Sequence, residues 1–152
     1  LEIAEDVAAR GLVLDAVVTP VGGGGLASGI ALALEVAVPA ARLYGAEPEG
    51  FDDAARSFTA GRIVGNTRKS GSVQDALLTP ELSDLTFGIL KSRISGMGQV
   101  PDGAAEAAVR YAAREFKLVA EPGGAAGLAA VLAGIVPEGA GAVAIVLSGG
   151  NS

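Results

Sequence analysis

Four consecutive glycines, Gly22 to Gly25, constrain this chain more than any other feature. A glycine costs about 1 kcal/mol relative to alanine inside a helix, so four together beside a helical stretch need a reason. Their neighbours supply one. Before them, Asp15 to Val21 (DAVVTPV) is a short β-branched run, as expected of a strand buried on both faces, with Pro20, which lacks an N–H, at its end. After them, Leu26 to Val38 is an apolar run rich in Ala and Leu, closed by Pro39, which predicts a helix. A glycine loop in that setting lets unhindered N–H groups converge at the positive end of a helix dipole. The result is an anion cradle, and phosphate is the expected anion.

Arg42 to Glu47 (RLYGAE) reads as the next strand, which completes a β-loop-α-β unit and forces a parallel sheet. Residues 2 to 10 have helical spacing at Ile3, Val7 and Ala8 and stop at Gly11. The polar, broken stretch from Pro48 to Pro80 is expected as a mobile excursion with a short helix over Asp52 to Ala60. Phe87, Leu90 and Ile94 predict a helix over Thr86 to Ser95, followed by a short strand from Met97 to Val100. Asp102 is expected to cap a long helix running to Lys117, and Pro122 to sit in the first turn of a helix over Glu121 to Ala133. Ala142 to Leu147 (AVAIVL) is the last buried strand and ends in SGGNS. No internal repeat or domain boundary is visible. With 30 Ala and 23 Gly against 6 aromatic residues, the composition favours closely packed helices on a sheet. The fold expected is α/β: a parallel sheet with helices on both faces.

Composition also removes whole classes of function. Half of the 152 residues are apolar, so the chain must fold or associate to hide that surface. There is no cysteine and no histidine, which rules out a disulfide scaffold, a thiolate metal site, a zinc hydrolase and a Ser-His-Asp hydrolase. Eleven Lys+Arg against 17 Asp+Glu give a net charge of -6, the wrong sign for binding nucleic acid or an anionic membrane. No apolar run is long enough to span a bilayer, and no basic segment precedes the first apolar positions, so a cytoplasmic location is expected. Small molecules and protein are the expected partners. The chain opens without Met on a stretch that already reads as a helix, which predicts a piece of a longer polypeptide.

The residues leave open which phosphate is held. Glu47 lies at the end of the second strand, 22 residues past Gly25, where a dinucleotide-binding unit places its ribose-binding acid. The G-x-G-x-x-G fingerprint is met only loosely, with Ala27 or Ser28 in the final position, and no Walker lysine follows the glycines. Glu47 and Asp53 also flank a short excursion, EPEGFDD, where the two carboxylates and the Phe51 carbonyl offer hard oxygen ligands for Mg or Ca. The competing reading of that stretch is a solvated acidic loop with Asp52 or Asp53 capping the next helix.

Four segments in order, PVGGGGLASGI (Pro20 to Ile30), GAEPE (Gly45 to Glu49), LVAEPGGAAGLAAV (Leu118 to Val131) and LSGGN (Leu147 to Asn151), carry a family resemblance. The chain resembles the C-terminal part of the threonine/serine dehydratases, fold-type II pyridoxal-phosphate enzymes related to serine racemase. The resemblance implies that Gly22, Gly23, Gly24, Gly25 and Leu26 bind the phosphate of pyridoxal 5'-phosphate. It further implies that Ser148 meets the pyridine nitrogen and that Glu47, Phe51 and Asp53 form the metal site of some serine racemase-like members. Ala76, in SVQDAL, stands where many relatives have glycine near the cofactor, which implies a tighter pocket here. Asn151 is expected as a turn former, and Glu121 either as a dipole partner of its helix or as a carboxylate near the cofactor.

In that family the Schiff-base lysine lies upstream, in a Ser-x-Lys-x-Arg-Gly type motif. Here only Lys69, Lys91 and Lys117 occur, and none sits in such a motif. Residues 1–152 are therefore expected to be the cofactor-binding, large-domain portion of a homo-oligomeric dehydratase without its catalytic N-terminal part. On this reading no catalytic residue lies in this chain. The alternatives are a non-catalytic phosphate-binding or interaction module and a Rossmann-type dinucleotide binder.

Overall fold

The computed structural model describes residues 1–150; Asn151, expected as a turn former, and Ser152 lie outside the described residues. Four parallel strands form one sheet: β1 (Ala16–Pro20), β2 (Arg42–Pro48), β3 (Ile94–Val100) and β4 (Val143–Ile145), in the order β3-β2-β1-β4. The helices are α1 (Glu2–Ala9), α2 (Gly25–Ala37), α3 (Asp53–Ala60), α4 (Asp84–Leu90), α5 (Asp102–Tyr111) and α6 (Ala126–Leu132). Successive strand residues point to opposite faces, so Ala16 and Val18 of β1 and Tyr44 and Ala46 of β2 join the alanines of α5 and α6 in one core. Val17 and Leu43 face the other way, against Ala27, Ala31 and Leu34 of α2, Ala54 of α3 and Leu90 of α4. Helices thus cover both faces, as the sequence predicts. Small residues make the layers thin: a Cβ on Gly127 of α6 would lie 3.3 Å from the Val18 carbonyl oxygen, so this helix rides directly on β1.

Strand order places the site. The chain steps from β1 outward to β2 and β3, then returns across the sheet through α5 and α6 to add β4 on the far side of β1. The helix that follows β1 and the helix that precedes β4 lie on opposite faces of the sheet, and a crevice opens between the carboxyl ends of these two strands, where open α/β sheets bind ligands. The glycine loop follows β1, and the Ser148 segment follows β4.

Several boundaries differ from expectation. The helix predicted over Thr86 to Ser95 is α4, which begins in a capping box between Ser83 and Thr86 and ends at Leu90. Ile94 instead opens β3 opposite Leu43, because its β-branched side chain and the glycines beyond it suit a strand beside β2. Pro101, not Asp102, holds the N-cap position of α5, and the Asp102 carboxylate is taken by the 72–74 segment. That helix ends at Tyr111 in a π-turn over Ala112–Phe116, closed by Lys117 at φ 59. Residues 121–125 form a turn ahead of α6, which starts at Ala126, with the Glu121 N–H bonded to the Gly149 carbonyl (3.0 Å). β4 is short and half-buried, as an edge strand bordered by β1 alone is. Its start is fastened by Asp15, whose Oδ2 accepts from the Gly141 and Ala142 N–H groups at 2.8 and 2.9 Å.

The excursion between Pro48 and Pro80, expected to be mobile, is cross-tied. Asn66 donates from Nδ2 to Asp53 Oδ1 (2.7 Å) and to the Thr79 carbonyl (3.0 Å), and its Oδ1 accepts from Arg56 (2.6 Å).

Candidate functional site

The amides of Gly22 to Ala27 decide what this site can hold. Ser28 is the first residue of the loop and α2 whose N–H finds a carbonyl, that of Gly24 at 2.9 Å. The six before it, Gly22 through Ala27, donate to no protein acceptor among the described residues. A helix start always leaves donors without partners, but here the glycine loop adds more, and no Ser, Thr, Asp or Asn side chain caps them. Gly24 occupies the N-cap at φ 83, and a Cβ there would come within 3.0 Å of Leu82 and Thr86, so only glycine fits both the turn and the packing.

These residues open on a cavity of about 190 Å3 lined by Pro20, Gly22 to Ala27, Ala76, Leu77 and Ser148. The structure therefore brings the five cradle residues, Gly22, Gly23, Gly24, Gly25 and Leu26, together with Ser148. It also brings in Ala76, which the resemblance places near the cofactor, and Leu77, which no local pattern could have joined to the glycines. A Cβ on Gly22 would lie 3.4 Å from Leu77 Cα, in van der Waals contact with this wall. Unsatisfied amides, a helix dipole and a lining without carboxylates fit a phosphate. Lys69, Lys91 and Lys117 are exposed, and none lines the cavity. Glu121 lies against Gly149, beside Ser148, rather than in the first turn of α6.

Glu47 and Asp53 form a second feature, behind the end of β2. Both are 1 % exposed. Glu47 Oε1 and Oε2 accept from the Ala54 and Ala55 N–H groups, at 2.9 and 3.0 Å, across the first turn of α3. Burial outweighs those two bonds and pushes the Glu47 carboxyl up to about 8, with the neighbouring Asp53 adding repulsion. Burial likewise raises Asp53, whose Oδ2 is buried without a partner among the described residues. The solvated acidic loop is thereby excluded, and so is the ribose-binding role, because Glu47 faces α3 and not the crevice. Phe51 sits in the turn between the two acids, its ring buried beneath the Arg68 guanidinium. Among the described residues no group of three or more acidic side chains converges to hold a metal ion. No helix of the described residues is long and apolar enough to cross a membrane.

A family model for pyridoxal-phosphate dependent enzymes matches residues 1–149. The chain belongs to this family. Its fold-type II architecture is supported by solved structures: a threonine deaminase from T.th. superposes with a TM-score of 0.92 at 38% identity over 99% of this chain and 55% of that one. Maize serine racemase gives 0.89 at 33% identity, over 99% of this chain and 46% of that one. Among curated proteins, the β-hydroxyaspartate dehydratase of Paracoccus denitrificans is 38% identical over 138 residues, 91% of this chain and 43% of that protein. Serine racemase of Oryza sativa subsp. indica is 34% identical over 156 residues, 99% of this chain and 44% of that protein. The chain spans less than half the length of these curated relatives. The family implies pyridoxal phosphate as cofactor, in place of the dinucleotide that the loose fingerprint left open.

The raised Glu47 carboxyl has a measurable consequence. The native state holds a proton there that the unfolded chain releases, so this contribution to stability is complete below the ordinary value of 4.5 and is lost as pH rises through about 8. A carbon-detected NMR titration should show the Glu47 carboxyl titrating near 8. Glu47→Gln cannot ionise, so its stability relative to wild type should improve between those two values, by up to a few kcal/mol. A Glu47 midpoint near the ordinary carboxylate value would contradict the assignment.

Proposed function

We propose that residues 1–152 are the cofactor-binding, large-domain portion of a threonine/serine dehydratase, an ammonia-lyase converting a hydroxy amino acid into a 2-oxo acid and ammonia, with serine racemisation as a close variant. The observation that carries this reading is the run of amides from Gly22 to Ala27, without protein acceptors among the described residues, opening on a cavity shared with Ser148. When bound, pyridoxal phosphate supplies the electron sink for charge developing at the substrate α-carbon. Gly22 to Gly25 and Leu26 would anchor the phosphate through backbone donors and the α2 dipole. Ser148 would present a neutral hydroxyl to the ring nitrogen; such a partner leaves a pyridine largely unprotonated, which suits elimination. Four of the relatives are named for serine, threonine, hydroxyaspartate and phenylserine, and a hydroxyl on the carbon next to the amino-bearing carbon is common to those four compounds.

The cofactor-bearing lysine and the base beside the substrate α-carbon would come from polypeptide outside these residues, as the exposure of all three lysines supports. The purified chain should form no 2-oxo acid from threonine or serine, and activity should appear when the lysine-bearing N-terminal part of a relative is supplied. Keto-acid formation by the chain alone, abolished by Lys69→Ala, Lys91→Ala or Lys117→Ala, would contradict this. Phosphate binding with no activity under any complementation would favour the non-catalytic phosphate-binding module.

For the acidic pair we propose a divalent cation, Mg or Ca, held by Glu47, Asp53 and the Phe51 carbonyl. The unpartnered Asp53 Oδ2 supports it, and a bound cation would take the place of the proton that the metal-free Glu47 carboxyl keeps. Adding Ca or Mg should raise the thermal midpoint of the wild type and leave that of Asp53→Asn unchanged. Equal responses of the two proteins would remove the site.

A further inference from the structure

Ala76 and Leu77 form the cavity wall opposite the glycine loop, on a 3-10 turn over Asp75–Leu77. The turn lies close to glycine backbone on both sides. A Cβ on Gly22 would lie 3.4 Å from Leu77 Cα and 3.6 Å from the Ala76 carbonyl oxygen, and one on Gly123, on the other side, would lie 3.4 Å from Ala76 Cβ. A small shift of the turn therefore changes the cavity directly.

What fixes the turn lies outside the cavity. Asp102, the first residue of α5, does not cap its own helix. Its Oδ1 accepts from Ser72 Oγ (2.5 Å) and Gln74 Nε2 (3.3 Å), and its Oδ2 accepts from the Val73 N–H (3.2 Å). Ser72 Oγ in turn accepts from the Gln74 N–H (3.1 Å), and the Gln74 carbonyl accepts from the Leu77 N–H (2.9 Å), closing the turn. Gln74 is wholly buried, and its Nε2 also donates to the Val100 carbonyl (2.9 Å) at the end of β3. The amide cannot flip, because both partners of Nε2 are acceptors, and so its Oε1 stays buried without a donor among the described residues. Only an acceptor with two free oxygens can gather these three donors. The Ser72 hydroxyl holds the Asp102 carboxyl below the usual carboxylate range, so it is ionised at neutral pH.

We propose that Asp102 is a positioning residue for the phosphate cavity: it touches neither the cavity nor its ligand, and through Ser72 and Gln74 it sets the distance of the Ala76–Leu77 wall from Gly22. The proposal rests on the reading of that cavity as the cofactor-phosphate site. α5 and the cavity are thereby coupled, so that a change at the start of α5 reaches the site through one short segment.

The test uses the 152-residue chain carrying Asp102→Asn, Ser72→Ala or Ser72→Thr, with Glu106→Gln, an exposed acid on the same helix, as control. Asparagine keeps the shape but puts a donor where an acceptor is needed. In amide-resolved NMR spectra of the unliganded proteins, Asp102→Asn and Ser72→Ala should move the Gly22, Gly23 and Leu77 resonances and speed exchange of the Leu77 N–H. Ser72→Thr, which keeps the hydroxyl, should restore the wild-type positions, and Glu106→Gln should move none of them. Affinity for pyridoxal phosphate and for inorganic phosphate should fall about tenfold in the first two variants, as expected when one charge-assisted bond is lost. Unmoved Gly22 and Gly23 resonances in both variants would overturn the proposal, as would equal effects of Ser72→Ala and Ser72→Thr. If the resonances move as stated while wild type binds neither probe, the positioning link is supported and the phosphate reading is the one that fails. Should Asp102→Asn not fold, the Ser72 pair alone decides.

Discussion

Six backbone donors at the start of α2 have no protein partner among the described residues, and the rest of the architecture can be derived from that debt. Gly22, Gly23, Gly24 and Ala27 are buried or half-buried, and N–H groups in such places are normally satisfied, so leaving them free has a cost unless a ligand takes them. Glycine is what makes the arrangement possible: four residues without side chains let the backbone itself line the cavity, and Gly24 turns the chain into α2 through a left-handed conformation. The α2 dipole adds its positive end at the same point. An anion of the size and charge of phosphate completes this hydrogen bonding, where an uncapped helix would otherwise face water.

Topology decides what else meets the ligand. Because β4 is added on the far side of β1, the segment after β4 returns to the crevice beside the glycine loop, and Ser148 arrives there without any local interaction with it. Close packing does the rest. Gly124 lies directly against Gly149, and Glu121 against the same residue, so the Glu121–Gly124 turn supports the Ser148 segment from behind. Asp15 secures the entry to β4 from the opposite end. The carboxyl ends of β1 and β4 are thus held by glycine contacts and the amino end of β4 by a carboxylate.

What the sequence made legible was local. The glycine loop, the strand before it and the helix after it are neighbours in the chain, and periodicity and propensity describe them well. Ser148 was legible because a buried run ending in SGG must leave the sheet at its carboxyl edge. The expectations that failed depend on contacts between distant segments. Asp102 looks like a helix cap until Ser72, Val73 and Gln74 are folded onto it, and Ile94 looks helical until it meets Leu43. Leu77, Asn66 and Gln74 have no sequence signal at all, since each acquires its role from a partner more than ten residues away. Glu47 could be read in the sequence as a ribose acid, a cation ligand or part of a solvated acidic loop, and its bonds to the α3 amides exclude the first and the last.

On the proposed function, the amides of Gly22 to Ala27 bind the cofactor phosphate. A second, larger cavity at the opposite end of the sheet, bordered by Arg42 and Arg93, offers an anion the rival location. Titration of the isotope-labelled chain with pyridoxal phosphate, followed amide by amide, separates them. The account predicts saturable shifts confined to Gly22 through Ala27, Ala76, Leu77 and Ser148, with inorganic phosphate reproducing those of the glycine loop. Saturable shifts around Arg42 and Arg93 with the glycine-loop amides unmoved would contradict it.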